Sequence, residues 1–467
     1  MDPARLAAYD VLTAVRARDA YTNLVLPPML RGRGITGRDA AFATELVSGT
    51  VRWQGSYRTV LGACVDRPLG RVEPEVLDAL LIGTHQLLAM RVPPHAAVGT
   101  TVDLVRKRVG HGPAGFVNAV LRKVGAHDLA GWVRRLAPDP GADPVGFAAF
   151  AHAHPRWVVE ALAAALGGEE PATAPAGGAV AAEPRAEVER LLAADNAPPK
   201  VTLVARPGLA TVGELVAAGA TASTLSPYAA ELPGGDPGAV PAVAEGRAGV
   251  QDEGSQLVAL ALAEAPVDGR DERWLDLCAG PGGKSALLAA VAVQRGARLL
   301  ANERQHHRSL LVQRSTARSG AGLLGVVTGD GTRPAWRPGS FDRVLVDAPC
   351  SGLGALRRRP EARWRRTPAD LADLVPLQER LLGAALDAAR PGGVVGYATC
   401  SPVLAETSGV VHAVLAGRDD AHLEDARPLF PGVAHLEPSP VRPDGTVQLW
   451  PHRHGTDAMF FALLRKD

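Results

Sequence analysis

The stretch WLDLCAGPGGKS, residues 274–285, joins a short apolar run to a glycine-rich turn and opens onto the apolar segment ALLAAVAV. Its reading decides the fold of the C-terminal half. Gly280, Gly282 and Gly283 follow a strand and precede a helix, where glycine lets the backbone bend sharply and lets a ligand approach the amides of the helix N-terminus. About 20 residues further on, the strand-like ARLLANE ends in Glu303, a carboxylate able to accept hydrogen bonds from both ribose hydroxyls of a nucleoside. The next such run, LLGVVTGD, ends in Asp330, suited to an adenine amino group. A tight turn and helix-capping acids account for any one of these features more readily than for all three together, and the set suits an adenosyl cofactor. A phosphate-binding loop, G-x-x-x-x-G-K-[ST], is matched at Gly283, Lys284 and Ser285, but Cys278 stands where its first glycine is required.

Working outward, RWLDLC, ARLLANE, LLGVVTGD, FDRVLVDAP and GGVVGYATC alternate with helix-compatible stretches from about residue 251. That order predicts a doubly wound, mostly parallel α/β sheet of the Rossmann-like kind, with ligands beyond the carboxyl ends of its strands. TVQLWP and AMFFALLRK read as two further strands forming an antiparallel edge. Upstream, Ala8, Val11, Leu12 and Val15 recur at helical spacing and LDALLIGTHQLLAMRV is compatible with the same period, so the N-terminal region reads as all-α. The expected organisation is a helical domain over 1–135, a helical linker over 136–200 with a flexible Ala/Pro/Gly insertion near 167–183, a small α/β subdomain over 201–250, and a catalytic domain over 251–467.

Two cysteines follow strands. Cys350, in VLVDAPCSGLG, comes after the fourth strand and Cys400, in YATCSP, after the fifth, so neighbouring strands would bring both thiols to one crevice beside the cofactor. A small buried hydrophobe is the usual role of a lone cysteine on a strand; two at neighbouring carboxyl ends invite a chemical one. The pyrimidine C5 carbon is too poor a nucleophile to take a methyl group from a sulfonium. Thiolate addition at C6 makes C5 enamine-like and reactive. Asp347, three residues before Cys350, is placed to hold the N3/N4 edge of the ring. The run LRRRPEARWRR, with Arg357, Arg358, Arg359, Arg363, Trp364 and Arg365, reads as a phosphate grip with a stacking surface, although such a run taken alone is more often a solvated face.

Composition sets outer limits. With 50 basic against 49 acidic residues the net charge is +1, so nucleic-acid contact must come from local patches. Four cysteines without a CxxC pair argue against a disulfide framework and a structural zinc site, and no metal is expected. His306, His307 and the histidines of 452–454 lack partners at metal spacing and read as surface residues. The N-terminus has no apolar signal core, and no run of about 18 apolar residues occurs. A cytoplasmic monomer without a membrane association is expected.

DLCAGPGGK, DAPCSGLG and ATCSP, in this order and spacing, resemble the Sun (nucleolar-protein/Sun) family of RNA cytosine-C5 methyltransferases, which use S-adenosylmethionine. QDEGSQLVAL and TDAMFFALLRK extend the likeness to both ends of the C-terminal half. DAAFATELVSGTVRW and FVNAVLRKV resemble the NusB-like RNA-binding domain of bacterial members that modify 16S ribosomal RNA. The resemblance implies that Cys278, Ala279, Gly280, Pro281, Gly282, Gly283 and Lys284 wrap the cofactor, that Glu303 binds its ribose and Asp330 its adenine, and that Asp347 lies between cofactor and target base. It implies Cys400 as the nucleophile and Cys350 as the group that assists product release. In DNA cytosine methyltransferases the Pro-Cys cysteine attacks instead, but Ser351 stands where those enzymes usually carry Gln, and no Glu-Asn-Val motif is present. Two departures from the family pattern are the Ala/Pro/Gly insertion and KVTLVARPG, which lacks an Arg-Val-Asn ending.

Overall fold

The computed structural model describes residues 2–18, 20–167, 182–436 and 445–467, and the insertion expected near 167–183 falls almost entirely outside them. The described chain forms two compact units. One comprises residues up to Glu160, those from 182 to Ala197, and Leu356–Arg365; the other comprises Ala161 to 167, Pro198–Ala355 and Arg366–Asp467.

The first unit is helical, with α1 (Pro3–Arg18), α2 (Thr22–Gly32), α3 (Gly37–Cys64), α4 (Pro74–Leu88), α5 (Pro94–Arg108), α6 (Ala114–Val124), α7 (Leu129–Leu136) and α8 (Pro144–Ala151). The chain continues through α9 (Arg156–Ala165) and α10 (Ala182–Asn196). Pro74 and Pro94 occupy first-turn positions, where the missing N–H has no helical partner to lose. The Asp128 carboxylate caps α7 by accepting from the Gly131 N–H at 2.7 Å. Leu46, Tyr57 and Leu61 of α3, Leu80 and Ile82 of α4, Leu104 of α5 and Leu121 of α6 are fully buried and form the centre of the core. A polar pair sits within it: Tyr57 Oη lies 2.9 Å from His85 Nδ1. A Cβ at Gly49 would come within 2.2 Å of the His85 ring, so glycine makes room for the histidine there.

The second unit holds two sheets. In the smaller, β1 (Val201–Ala205), β2 (Thr221–Ala222), β3 (Ala229–Leu232) and β4 (Ala248–Val250) run antiparallel in the order β2-β3-β1-β4, with α11 (Val212–Ala217) and α12 (Pro241–Ala244) between them. The larger is built from β5 (Arg273–Asp276), β6 (Arg298–Glu303), β7 (Leu323–Thr328), β8 (Phe341–Asp347), β9 (Ala389–Thr399), β10 (Ala421–Glu424), β11 (Val447–Gln448) and β12 (Phe460–Lys466). Its order is β10-β12-β9-β8-β5-β6-β7, with β11 pairing beside β12. β5 to β9 are mutually parallel, whereas β12 runs antiparallel to β9 and β10, the expected edge.

Helices cover both faces of this sheet. α13 (Glu253–Glu264) and α14 (Gly283–Gln294) pack on one side, α15 (His306–Thr316) lies along β6 and β7, and the short α16 (Ala362–Arg365) belongs to the helical unit. α17 (Pro368–Ala388) and α18 (Ser408–Ala416) cover the other side, and α19 (Pro451–His454) follows β11. Alternate residues of a strand point to opposite faces. Leu345, Val394 and Phe461 meet α13 and α14, while their neighbours Val344, Val395 and Phe460 meet α17. With both faces covered, β8 carries the uninterrupted apolar stretch Val344, Leu345 and Val346, as parallel strands do. β5 is flanked by β6 on one side and β8 on the other, so the crevice where the connections diverge opens at its carboxyl end. No described helix is long and apolar enough to cross a membrane.

Candidate active site

β5 ends in Asp276, whose Oδ2 accepts a 2.6 Å hydrogen bond from Ser285 Oγ across the turn. Burial, opposed by that bond and reinforced by Asp347, pushes the Asp276 carboxyl up to about 7. Its Oδ1 is buried, and the Cys278 backbone N–H also opposes the shift. The turn then runs through Cys278, Ala279, a cis Gly280–Pro281 bond, and Gly282 at φ +108°, which starts α14. A Cβ at Gly280 would lie 2.0 Å from Glu303 Oε2, so only glycine lets the turn approach that carboxylate. Glu303, at the end of β6, is 5% exposed; its Oε1 accepts from the Gln305 N–H at 2.9 Å, and Arg308 Nε stands 3.6 Å from Oε2. Asp330 lies two residues past β7, exposed, with Oδ1 accepting from the Thr332 N–H and hydroxyl. Those two bonds lower its carboxyl below the usual range.

On the other side of β5 stand the two thiols. Asp347 pairs with Ala398 in the β8–β9 ladder, so the chain leaves both strands side by side, and Cys350 Sγ lies 3.5 Å from Cys400 Sγ. Lys284, in the first turn of α14, reaches across to Asp347 with Nζ 2.9 Å from Oδ2 and 3.2 Å from Ser255 Oγ. Burial alone would push the Lys284 ammonium down, but the charges of Asp347 and then Cys400 hold it above its ordinary value. Cys350 behaves oppositely: its contact with Cys400, then burial, then the charges of Cys400, Glu406 and Asp347 push its thiol well above the ordinary range. Cys278 is also pushed well up, by burial and by the carboxylates of Asp276, Asp347 and Glu303. The fold thus brings the turn, Glu303, Asp330, Asp347, Cys350 and Cys400 to the carboxyl ends of five parallel strands.

Residues 261–465 match the family model described as 16S rRNA methyltransferase RsmB/F, and residues 2–126 match the NusB family. The ribosomal RNA small subunit methyltransferase B of Pseudomonas syringae pv. tomato is 32% identical over 478 residues, covering 100% of this chain and 97% of that protein. The chain belongs to the RsmB/F family of 16S rRNA methyltransferases. A Mycobacterium tuberculosis protein named as a methyltransferase is 55% identical over 468 residues, covering 100% of this RsmB/F chain and 97% of the relative. The crystal structure of PH0851 superposes with a TM-score of 0.76 at 21% identity, over 99% of this chain and 97% of that one, a likeness of fold. The resemblance to Sun methyltransferases and to a NusB-like domain therefore holds.

S-adenosylmethionine is the cofactor of this RsmB/F methyltransferase. The residues present fit it. The glycine at 280 keeps open the approach to Glu303 that a side chain would fill, and α14 presents its N-terminal amides at the same turn.

The arginine run requires a correction. Arg363 is wholly buried in the helical unit, where its guanidinium donates to the carbonyls of Ala153 (3.1 Å) and Asp195 (3.2 Å) and to Asn196 Oδ1 (2.7 Å). Trp364 donates from Nε1 to the Val51 carbonyl at 2.8 Å and lays its ring against Gly55 of α3. Arg365 donates to the carbonyls of Val15 and Ala20 and stacks over Tyr21. These three side chains anchor Leu356–Arg365 to the helices rather than gripping RNA. Arg357 is buried and Arg358 half-buried; Arg359 is exposed. His454 departs from a surface role in a smaller way, since its Nδ1 accepts from the Trp450 N–H and its Nε2 lies 3.0 Å from the Ala434 carbonyl.

Sequence reading passed over the groups that tie the two thiol turns together. Ser351 and Ser401, each directly after a cysteine, both hydrogen-bond to the buried carboxylate of Glu406. The repeated Cys-Ser pair was the available signal.

Proposed function

We propose that this chain transfers a methyl group from S-adenosylmethionine to C5 of a cytosine in 16S ribosomal RNA, through a covalent bond between Cys400 and C6. The observation that carries this reading is the 3.5 Å pair of thiols at the ends of adjacent parallel strands, beside the Lys284–Asp347 ion pair. Ribosomal RNA as substrate is supported by the name of the Pseudomonas syringae relative.

Each residue has a chemical task. The Lys284 ammonium favours a thiolate at Cys400, as positive charge beside a cysteine does. Attack forms the S–C6 bond and breaks the C5–C6 π bond, so electron density moves to C5. Asp347 holds the N3/N4 edge while that density develops. The bound cofactor supplies an electrophilic methyl group. Once C5 carries the methyl, its proton must leave; the C5–H electrons re-form the C5–C6 double bond and the S–C6 bond breaks. Cys350 assists this second half as a thiol: it gives its proton to the departing Cys400 sulfur, 3.5 Å away, and the Cys350 thiolate so formed takes the C5 proton, which returns both groups as thiols. Gly280, Gly282, Glu303 and Asp330 bind and orient the cofactor, and Arg359 contacts a phosphate.

The two cysteine variants test this on a denaturing gel with labelled, unmethylated 16S RNA. Cys400→Ala is expected to give neither methylation nor adduct, and Cys350→Ala to accumulate a covalent protein–RNA species. The reverse pattern would move the nucleophile to Cys350 and overturn the assignment.

A further inference from the structure

Glu406 ends a short 3-10 turn, Leu404–Glu406, just before α18, and is 0% exposed. Its Oε1 accepts from the Ser351 N–H at 2.7 Å and from Gln378 Nε2 at 3.0 Å. Its Oε2 accepts from Ser351 Oγ at 2.5 Å and Ser401 Oγ at 2.6 Å, the two hydroxyls being 3.0 Å apart. Gln378 Nε2 donates a second bond, 2.9 Å, to the carbonyl of Pro349, and the Glu406 carbonyl itself accepts from Tyr397 Oη at 2.8 Å. All four donors to the carboxylate are uncharged. Taking a carboxylate out of water costs several kcal/mol unless its oxygens are fully hydrogen-bonded, and these are. The donors come from the residues that follow each cysteine and from the helix that braces Pro349.

Resting on the reading of Cys400 as nucleophile and Cys350 as its partner, the geometry points to Glu406 as a positioning residue that fixes the spacing of the two thiols and gives them different roles. Past Asp347 and Thr399 the β8–β9 ladder has ended. The turns that follow are joined by the Gly354 N–H donating to the Cys400 carbonyl at 2.8 Å and by Glu406, which binds both serines at once. Charge adds to spacing. Cys350 faces Cys400, Asp347 and Tyr397 as well as Glu406; Lys284 is paired to Asp347, and Arg366 donates to the Ser351 carbonyl at 3.2 Å. The Glu406 carboxylate opposes ionisation of Cys350, keeping a proton there while Lys284 favours the thiolate at Cys400.

The test uses the full chain without RNA. Iodoacetamide alkylation of Cys350 and Cys400 is followed against pH by peptide mass spectrometry in wild type, Glu406→Gln and Glu406→Asp. Gln can keep the same contacts with its amide oxygen in the place of Oε1 and both serine hydroxyls turned to accept from its NH2, so it removes the charge and leaves the shape. Cys350 in Glu406→Gln is expected to react about tenfold faster at a given pH, one unit of displacement, with cofactor affinity unchanged by calorimetry. Glu406→Asp, which keeps the charge, is expected to restore the wild-type profile. A folded Glu406→Gln protein with an unchanged Cys350 profile overturns the proposal. If that variant fails to bind cofactor, Ser351→Ala serves instead: losing one donor to Oε2 leaves more charge facing Cys350, so its profile moves to higher pH, and an unmoved profile likewise overturns the proposal. Failure of wild type to methylate RNA would strike the proposed reaction alone, because the alkylation profiles are measured without it.

Discussion

Trp364 offers a two-sided test of where the arginine-rich segment belongs. A Cβ at position 55, within α3, would meet the Trp364 ring at 2.1 Å from Cη2 and 2.4 Å from Cζ3. Gly55→Ala alone therefore overpacks the contact, with an expected loss of about 1–3 kcal/mol. Trp364→Ala alone removes the ring and the bond to the Val51 carbonyl, at about 3 kcal/mol, or a Tm lowered by about 6–12 °C in a unit of this size. In the double variant the ring is gone, and Ala in place of Gly inside a helix stabilises by about 1 kcal/mol. The effect of Gly55→Ala thus changes sign between the two backgrounds, a coupling of about 2–4 kcal/mol. Urea unfolding followed by far-ultraviolet circular dichroism measures each corner of the cycle. Equal Gly55→Ala effects in both backgrounds would refute the packing argument. So would a Trp364→Ala protein of unchanged stability whose RNA affinity falls by the about 1–3 kcal/mol of a lost base stack, the signature of an RNA-gripping tryptophan.

That segment shows where sequence reading stops. β8 was legible because Val344, Leu345 and Val346 are buried on both faces, which forces an uninterrupted apolar run. The glycine turn was legible because the close approach to Glu303 excludes any side chain at position 280, and the thiol crevice because parallel neighbours must present their carboxyl ends together. A run of arginines carries no such constraint: its charge can be counted, but its acceptors cannot. For Arg363 and Arg365 they are, besides Oδ1 of Asn196, 167 residues away from Arg363, backbone carbonyls of Ala153, Asp195, Val15 and Ala20, which any sequence would supply and only a fold can aim. Glu406 was hidden for a related reason. Ser401 lies five residues away, but Ser351 lies 55 away, and nothing near Glu406 marks the more distant partner.

Two further outcomes follow from the cofactor turn. Gly280→Ala should displace Glu303, since the added Cβ falls 2.0 Å from its Oε2; losing a charged hydrogen bond to the ribose, about 1.5–3 kcal/mol, should weaken S-adenosylmethionine about 10- to 150-fold by calorimetry, and affinity within twofold of wild type would remove Glu303 from the ribose site. Asp276→Asn addresses pH. The Asp276 carboxyl, ordinarily near 3.8, is pushed up to about 7 by burial, so the native state holds a proton that the unfolded chain releases. Its contribution to stability is complete below about 3.8 and is lost as pH rises through about 7. Asparagine keeps an acceptor for Ser285 and cannot ionise, so the stability of Asp276→Asn relative to wild type should rise between those limits and level off above them. Urea midpoints of the two proteins, compared at each pH, measure this difference. A difference that stayed flat across the window would mean that Asp276 is ionised throughout, its charge stabilised by the Ser285 hydroxyl and the Cys278 N–H more than burial disfavours it.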